Sequence, residues 1–160
     1  MTGHLPKRSG GRGRTAAERV QQELGGADIL VNKAGLMLTA PFASDQREEH
    51  RRMVETNLLG AMTATEVFLD QLRANGCGDL VNVSSVAGRV APAGFAAYAA
   101  TKWGINGWSE ALRVELQPDV RVIVIAAPHA PRRRRLPRRR LRVRPHGRAR
   151  GHRDCGNDAG

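Results

Sequence analysis

Tyr98 is the only tyrosine in this 160-residue chain, and Lys102, one of three lysines, follows it by four positions. On a helix that spacing puts the phenol and the ammonium on one face, a turn apart. A phenol with a pKa of about 10 is a poor acid or base at neutral pH. A neighbouring ammonium favours the phenolate and eases proton transfer. The pair could donate a proton to a carbonyl oxygen during reduction, or accept one during alcohol oxidation. Ser85 lies thirteen residues before Tyr98, in Asn82-Val83-Ser84-Ser85-Val86-Ala87-Gly88. Its hydroxyl follows an apolar run that reads as a strand, and ligands of open α/β sheets bind beyond the carboxyl ends of strands. From there it could hydrogen-bond a reacting oxygen and stabilise developing charge. Each residue also has an ordinary reading: a helix tyrosine, a solvated helix lysine, serines capping a strand end, and Asn57 as a buried amide satisfied by backbone.

The elements that would hold these groups follow from periodicity. Ala16, Ala17, Val20 and Leu24 mark one face of a helix from Thr15 to Leu24, with Thr15 as its cap and Gly25-Gly26 as its stop. Asp28 to Asn32 is a short apolar run of the type buried on both faces of a parallel sheet. After a loop through Pro41, Asp45 with Glu48 three residues on resembles a capping box. It opens a long helix whose apolar face is Met53, Val54, Leu58, Met62 and Leu69, broken at Gly76 and Gly78. Asp79 to Ser84 is a second strand, Ala96 to Leu116 a third helix ended by Pro118, and Val120 to Ala126 a third strand. Strands alternating with helices predict βαβ units with right-handed crossovers and a parallel sheet.

In combination these residues resemble the short-chain dehydrogenase/reductase family in its classical form. The matching segments are Leu30-Val31-Asn32-Lys33-Ala34-Gly35, Thr56-Asn57-Leu58-Leu59-Gly60, Asn82 to Gly88, and Tyr98-Ala99-Ala100-Thr101-Lys102 with Gly104, Gly107 and Leu112. The resemblance covers residues 15–127. It implies an α/β fold, a partial Rossmann-like doubly wound parallel sheet of central strands and helices. It implies hydride transfer between NAD(P)(H) and a small-molecule alcohol or ketone. The implied catalytic set is Ser85, Tyr98, Lys102 and Asn57, with Lys102 also on the nicotinamide ribose and Asn57 holding a water in a proton relay. Asn32, Ala34, Gly35, Tyr98 and Lys102 are the implied cofactor contacts, and no metal is assigned. The family also implies a homo-oligomer through the two long helices.

Three features depart from the family pattern. Lys33 replaces the second asparagine of the Asn-Asn-Ala-Gly segment. The strand near Ala126 is followed by Pro128-His129 in place of Pro-Gly. The family's Thr-Gly-x-x-x-Gly-x-Gly turn, whose helix N-terminus holds the pyrophosphate, has no counterpart before Asp28. Gly10-Gly11-Arg12-Gly13-Arg14 is a glycine cluster with no strand ahead of it. The expectation is an oxidoreductase chain impaired in holding its nucleotide, with an unpaired apolar strand edge open to aggregation.

Charge divides the chain in the same way. Residues 15–127 hold 10 basic and 13 acidic residues, whereas residues 1–14 carry four basic groups and no acid. Residues 128–160 carry twelve arginines against Asp154 and Asp158. The net charge of +11 therefore belongs to two flanks without hydrophobic periodicity. Residues 1–14 read as a disordered leader and 128–160 as a disordered Arg/Pro-rich tail. Out-of-frame reading of a GC-rich coding sequence yields the tail's Arg, Pro, Ala and Gly composition, and a solvated basic tail is the alternative. An alternative function is a non-catalytic product whose tail binds polyanions or nucleic acid without specificity, although it lacks aromatics for base stacking. Cys77 and Cys155 make a structural disulfide unexpected, and no apolar run suits a membrane span or signal peptide, which leads to the cytoplasm as the expected compartment.

Overall fold

The computed structural model describes residues 11–42, 45–74 and 76–128. The expected leader up to residue 10 and the Arg-rich tail from 129 lie outside the described residues. Chain order is α1 (Gly11–Leu24), β1 (Ile29–Asn32), α2 (Arg47–Val54), a π-helical turn (Glu55–Leu59), α3 (Gly60–Arg73), β2 (Gly78–Ser85), a 3-10 turn (Val86–Gly88), α4 (Ala96–Glu115) and β3 (Val120–Ala127). The three strands are parallel in the order β1-β2-β3. Asn32 lies beside Asn82, and Ser85 beside Ala127. This is the Rossmann-like parallel α/β arrangement that the sequence predicts.

Both crossovers step the same way along the sheet, so right-handed connections put their helices on one face. There Leu80 and Val122 pack with Leu72, Leu116 and Val120, flanked by Leu30, Leu69 and Leu112. The opposite face carries Ile29 and Val31, which are 59% and 53% exposed, and Ile125 at 49%. The expectation that the run at Asp28–Asn32 is buried on both faces is therefore corrected for β1. Among the described residues the covered side of β1 and β3 is the one that receives α3 and α4. The outer edges of β1 and β3 pair with no further strand among these residues.

Two predicted helix starts also move. α1 begins at Gly11, not Thr15, so residues 11–14 belong to the helix and not to the leader. The reason is tertiary: a Cβ on Gly13 would sit 3.6 Å from the Val67 side chain of α3, and Gln71 Nε2 donates to Ala17 O at 2.8 Å. Leu24, expected on the apolar face, is exposed. The capping box at Asp45 does not form. α2 begins at Arg47 behind Gln46, which makes no side-chain cap bond. Asp45 thus sits one position too early to reach the open N–H groups. Glu48 and Glu49 in the first turn instead face the positive end of the helix dipole.

The long second helix is interrupted by the π-helical turn. Gly60 N–H bonds back to Glu55 O, five residues earlier. A side chain at Gly60 would press on that oxygen at 3.3 Å. Such widened turns are frequent at functional sites. Asn57, 2% exposed, lies within this one.

Candidate active site

Lys102 arrives at the site buried. It lies on α4 with 5% of its surface exposed, and its Nζ donates to Val83 O at 2.8 Å near the carboxyl end of β2. Nζ also lies 5.8 Å from the centre of the Tyr98 ring, one turn earlier on the same helix face. These contacts are a carbonyl and an aromatic ring, with no full negative charge between them. Burial accordingly pushes the ammonium below its ordinary pKa of 10.5. The Tyr98 ring meets Phe95 edge to face, with centroids 6.4 Å apart.

Ser85 ends β2 at 4% exposure, and its Oγ accepts from Ala87 N–H at 3.2 Å. That bond turns the chain into the 3-10 segment and leaves the hydroxyl proton available to donate. The segment is seated closely on α4. Asn106 Nδ2 donates to Gly88 O at 3.0 Å, and Ser84 Oγ donates to Lys102 O at 3.3 Å. A Cβ on Gly88 would come within 2.8 Å of Asn106 Nδ2 and 2.9 Å of Ser84 Oγ. Glycine is thus what allows the Ser85 turn to approach the helix carrying Tyr98 and Lys102.

Asn57 joins the third wall. Its Oδ1 accepts from Leu36 N–H at 2.6 Å, while its Nδ2 donates to Leu36 O at 2.8 Å and to Thr101 Oγ1 at 3.1 Å. The amide is therefore fully engaged inside the protein, as in the ordinary reading of a buried amide. Its side-chain polar atoms are thereby committed to Leu36 and Thr101. Gly35 lies between the elements: its Cβ position is 3.7 Å from Asn57 Oδ1 and 3.8 Å from Lys102 Nζ.

Tyr98, Lys102, Asn57 and Gly35 are thus brought together, with Ser85 beside them at the end of β2. Ala34 and Lys33 are exposed in the loop after β1. Asn32 is directed elsewhere. Its Nδ2 donates to Thr65 Oγ1 and Asn82 Oδ1, each at 2.9 Å, and Asn82 Nδ2 donates to Ser109 Oγ at 2.9 Å. This amide ladder ties α3 to α4 through β1 and β2, so the Asn32 side chain is part of the framework under the site and not of its ligand-facing wall. Sequence reading placed Thr101 and Gly88 in matching segments without giving either a role, and it missed Leu36. Thr101 also carried a local signal, as a β-branched hydroxyl in a helix interior where it is intrinsically disfavoured. Among the described residues no group of three or more His, Cys, Asp or Glu could hold a metal ion, and no helix is long and apolar enough to cross a membrane.

The arrangement offers a phenol next to a buried cation, with a serine hydroxyl at a strand end. This is a set suited to moving one proton onto or off an oxygen while stabilising its charge. Comparison with known proteins gives the same direction. The chain is 32% identical over 111 residues to 3-dehydrosphinganine reductase of Danio rerio, covering 69% of this chain and 33% of that protein. A short-chain dehydrogenase from Streptomyces avermitilis superposes with a TM-score of 0.70 at 31% identity, over 78% of this chain and 51% of that one. Serine dehydrogenase from Escherichia coli superposes with a TM-score of 0.69, also at 31% identity, over 72% of this chain and 55% of that one. The chain spans between 33% and 43% of the length of the curated relatives compared. The family model for short chain dehydrogenase matches residues 11–130, and the chain belongs to that family.

Proposed function

We propose that residues 15–127 carry the proton-transfer half of an NAD(P)(H)-dependent oxidoreductase acting on an alcohol or ketone. The observation that carries this reading is the buried Lys102 ammonium against the Tyr98 ring, beside Gly35 and Asn57. The donor set fits the nicotinamide-ribose end of the cofactor. Lys102 directs one of its three N–H bonds to Val83 O, so the remaining two suit ribose hydroxyls, and the Gly35 backbone lies alongside. The pyrophosphate end does not fit in the same way, because Gly11 and Gly13 lie within α1 and not in a turn after a strand.

When bound, the nicotinamide supplies or takes up the hydride. The protein's own part is the proton and the charge. Tyr98 Oη gives its proton to the carbonyl oxygen in reduction and takes it back in alcohol oxidation. Ser85 Oγ donates a hydrogen bond to that oxygen, and Lys102 supplies positive charge beside the Tyr98 ring. Asn57 acts through Leu36 and Thr101, fixing the loop that carries Gly35 against α4.

Saturation-transfer NMR of NADPH on the full chain tests the reading. Nicotinamide-ribose protons should show contact that is lost in Lys102→Met, with turnover below detection. Absence of contact in the unaltered chain would sink the assignment. A second reading rests on the twelve arginines of residues 128–160: non-specific polyanion binding, to be seen as DNA affinity falling steeply with salt. We place the chain in the cytoplasm on its cysteine usage.

A further inference from the structure

We infer that Thr101 is a positioning residue for Tyr98, which rests on the reading of Tyr98 as the proton-transfer group. Thr101 is 1% exposed, so its hydroxyl must find partners within the protein. It finds two that lie on different elements. Oγ1 donates to the backbone carbonyl of Tyr98 at 2.7 Å, three residues earlier in α4. The same oxygen accepts from Asn57 Nδ2 at 3.1 Å, across from the π-helical turn. Asn57 in turn grips both polar groups of the Leu36 backbone. One continuous hydrogen-bonded chain therefore runs from the loop after β1, through the Asn57 amide and the Thr101 hydroxyl, to the peptide that carries Tyr98.

The Thr101 hydroxyl is the link by which that chain passes from Asn57 onto α4, so it ties the Tyr98 turn to the Gly35 loop. A helix carbonyl already has an N–H partner from the following turn. A second donor from a threonine side chain tilts it and bends the local helix. That sets the direction in which the Tyr98 phenol leaves the helix. The methyl group of Thr101 cannot do this. Only the hydroxyl can both donate and accept.

The test uses the fact that Tyr98 is the only tyrosine. Full-length protein labelled with 3-fluorotyrosine gives a single-site 19F signal. Unaltered protein is expected to show one resonance. Thr101→Val, which keeps the shape and loses the hydroxyl, should shift or split it, and Thr101→Ser should restore it. The melting temperature and far-UV circular dichroism of both variants report the fold independently. An unchanged resonance in Thr101→Val overturns the inference, as does equal disturbance by Thr101→Val and Thr101→Ser. If Thr101→Val does not fold, the unaltered protein decides: a slowly exchanging Thr101 hydroxyl proton with a cross-peak to the Asn57 side-chain amide supports the link, and its absence overturns it. A failure of NADPH contact would sink the functional reading alone and leave this signal as it is.

Discussion

Replacing Asn57 by alanine removes three hydrogen bonds at once: Leu36 N–H to Oδ1, and Nδ2 to Leu36 O and Thr101 Oγ1. At about 1 kcal/mol net for each bond the loss is about 3 kcal/mol. Leu36 is half-buried, so water reaches its stranded backbone groups and the full penalty of a buried orphan does not apply. For a domain of this size, an unfolding entropy of about 2.1 cal/mol/K per residue turns that loss into a fall of about 12 °C in melting temperature. Thermal melts followed by circular dichroism measure it, with the exposed Leu59→Ala as a control outside the network. Amide hydrogen exchange adds a local readout, since the Leu36 N–H should lose its protection while the amides of β2 keep theirs at matched stability. A fall of less than about 4 °C, corresponding to about 1 kcal/mol, with Leu36 still protected, would refute the view that Asn57 holds the loop.

Three further outcomes follow from the same geometry. Lys102 is held below its ordinary pKa of 10.5 by burial, so between the lowered folded value and 10.5 the unfolded chain binds the extra proton and stability rises with pH; urea midpoints across that alkaline window should show the rise, and Lys102→Met should flatten it. Gly88→Ala puts a methyl group against Asn106 Nδ2, Ser84 Oγ and Lys102 O, which should destabilise by about 1–3 kcal/mol in denaturant titration and weaken NADPH contact beyond what stability explains. Leu80→Ala, at a fully buried position in the core beneath the site, should lower stability by about 2–5 kcal/mol, read as a urea midpoint shift with little change in slope.

Much of the framework was legible because it depends on patterns that local chemistry imposes. The apolar runs ending at Asn32, Ser84 and Ala126 and the helical stretch from Ala96 define βαβ order, since a parallel strand must be followed by a crossover. Helix starts were less legible. Asp45 has the residue type of a cap, but the chain enters the helix one position later, and the start of α1 depends on Val67 and Gln71, which lie far along the sequence. The burial of β1 differs from expectation for the same reason: whether Ile29 and Val31 are covered depends on which face receives the helices, and apolarity alone does not encode that.

At the site, residue type and spacing by themselves determined that a tyrosine and a lysine share a helix face and that a serine ends a strand, because a helix repeats every 3.6 residues and a strand run has a definite carboxyl end. Tertiary structure decided what surrounds them. Only packing shows that Lys102 is buried against Val83 O, that Asn57 is committed to Leu36 and Thr101, and that Asn32 belongs to the ladder with Asn82 and Thr65. An amide side chain has donors and acceptors enough for a ligand or for a neighbour. Which of them it meets depends on distances between elements separated by tens of residues, and these exist only once the sheet and its helices are assembled.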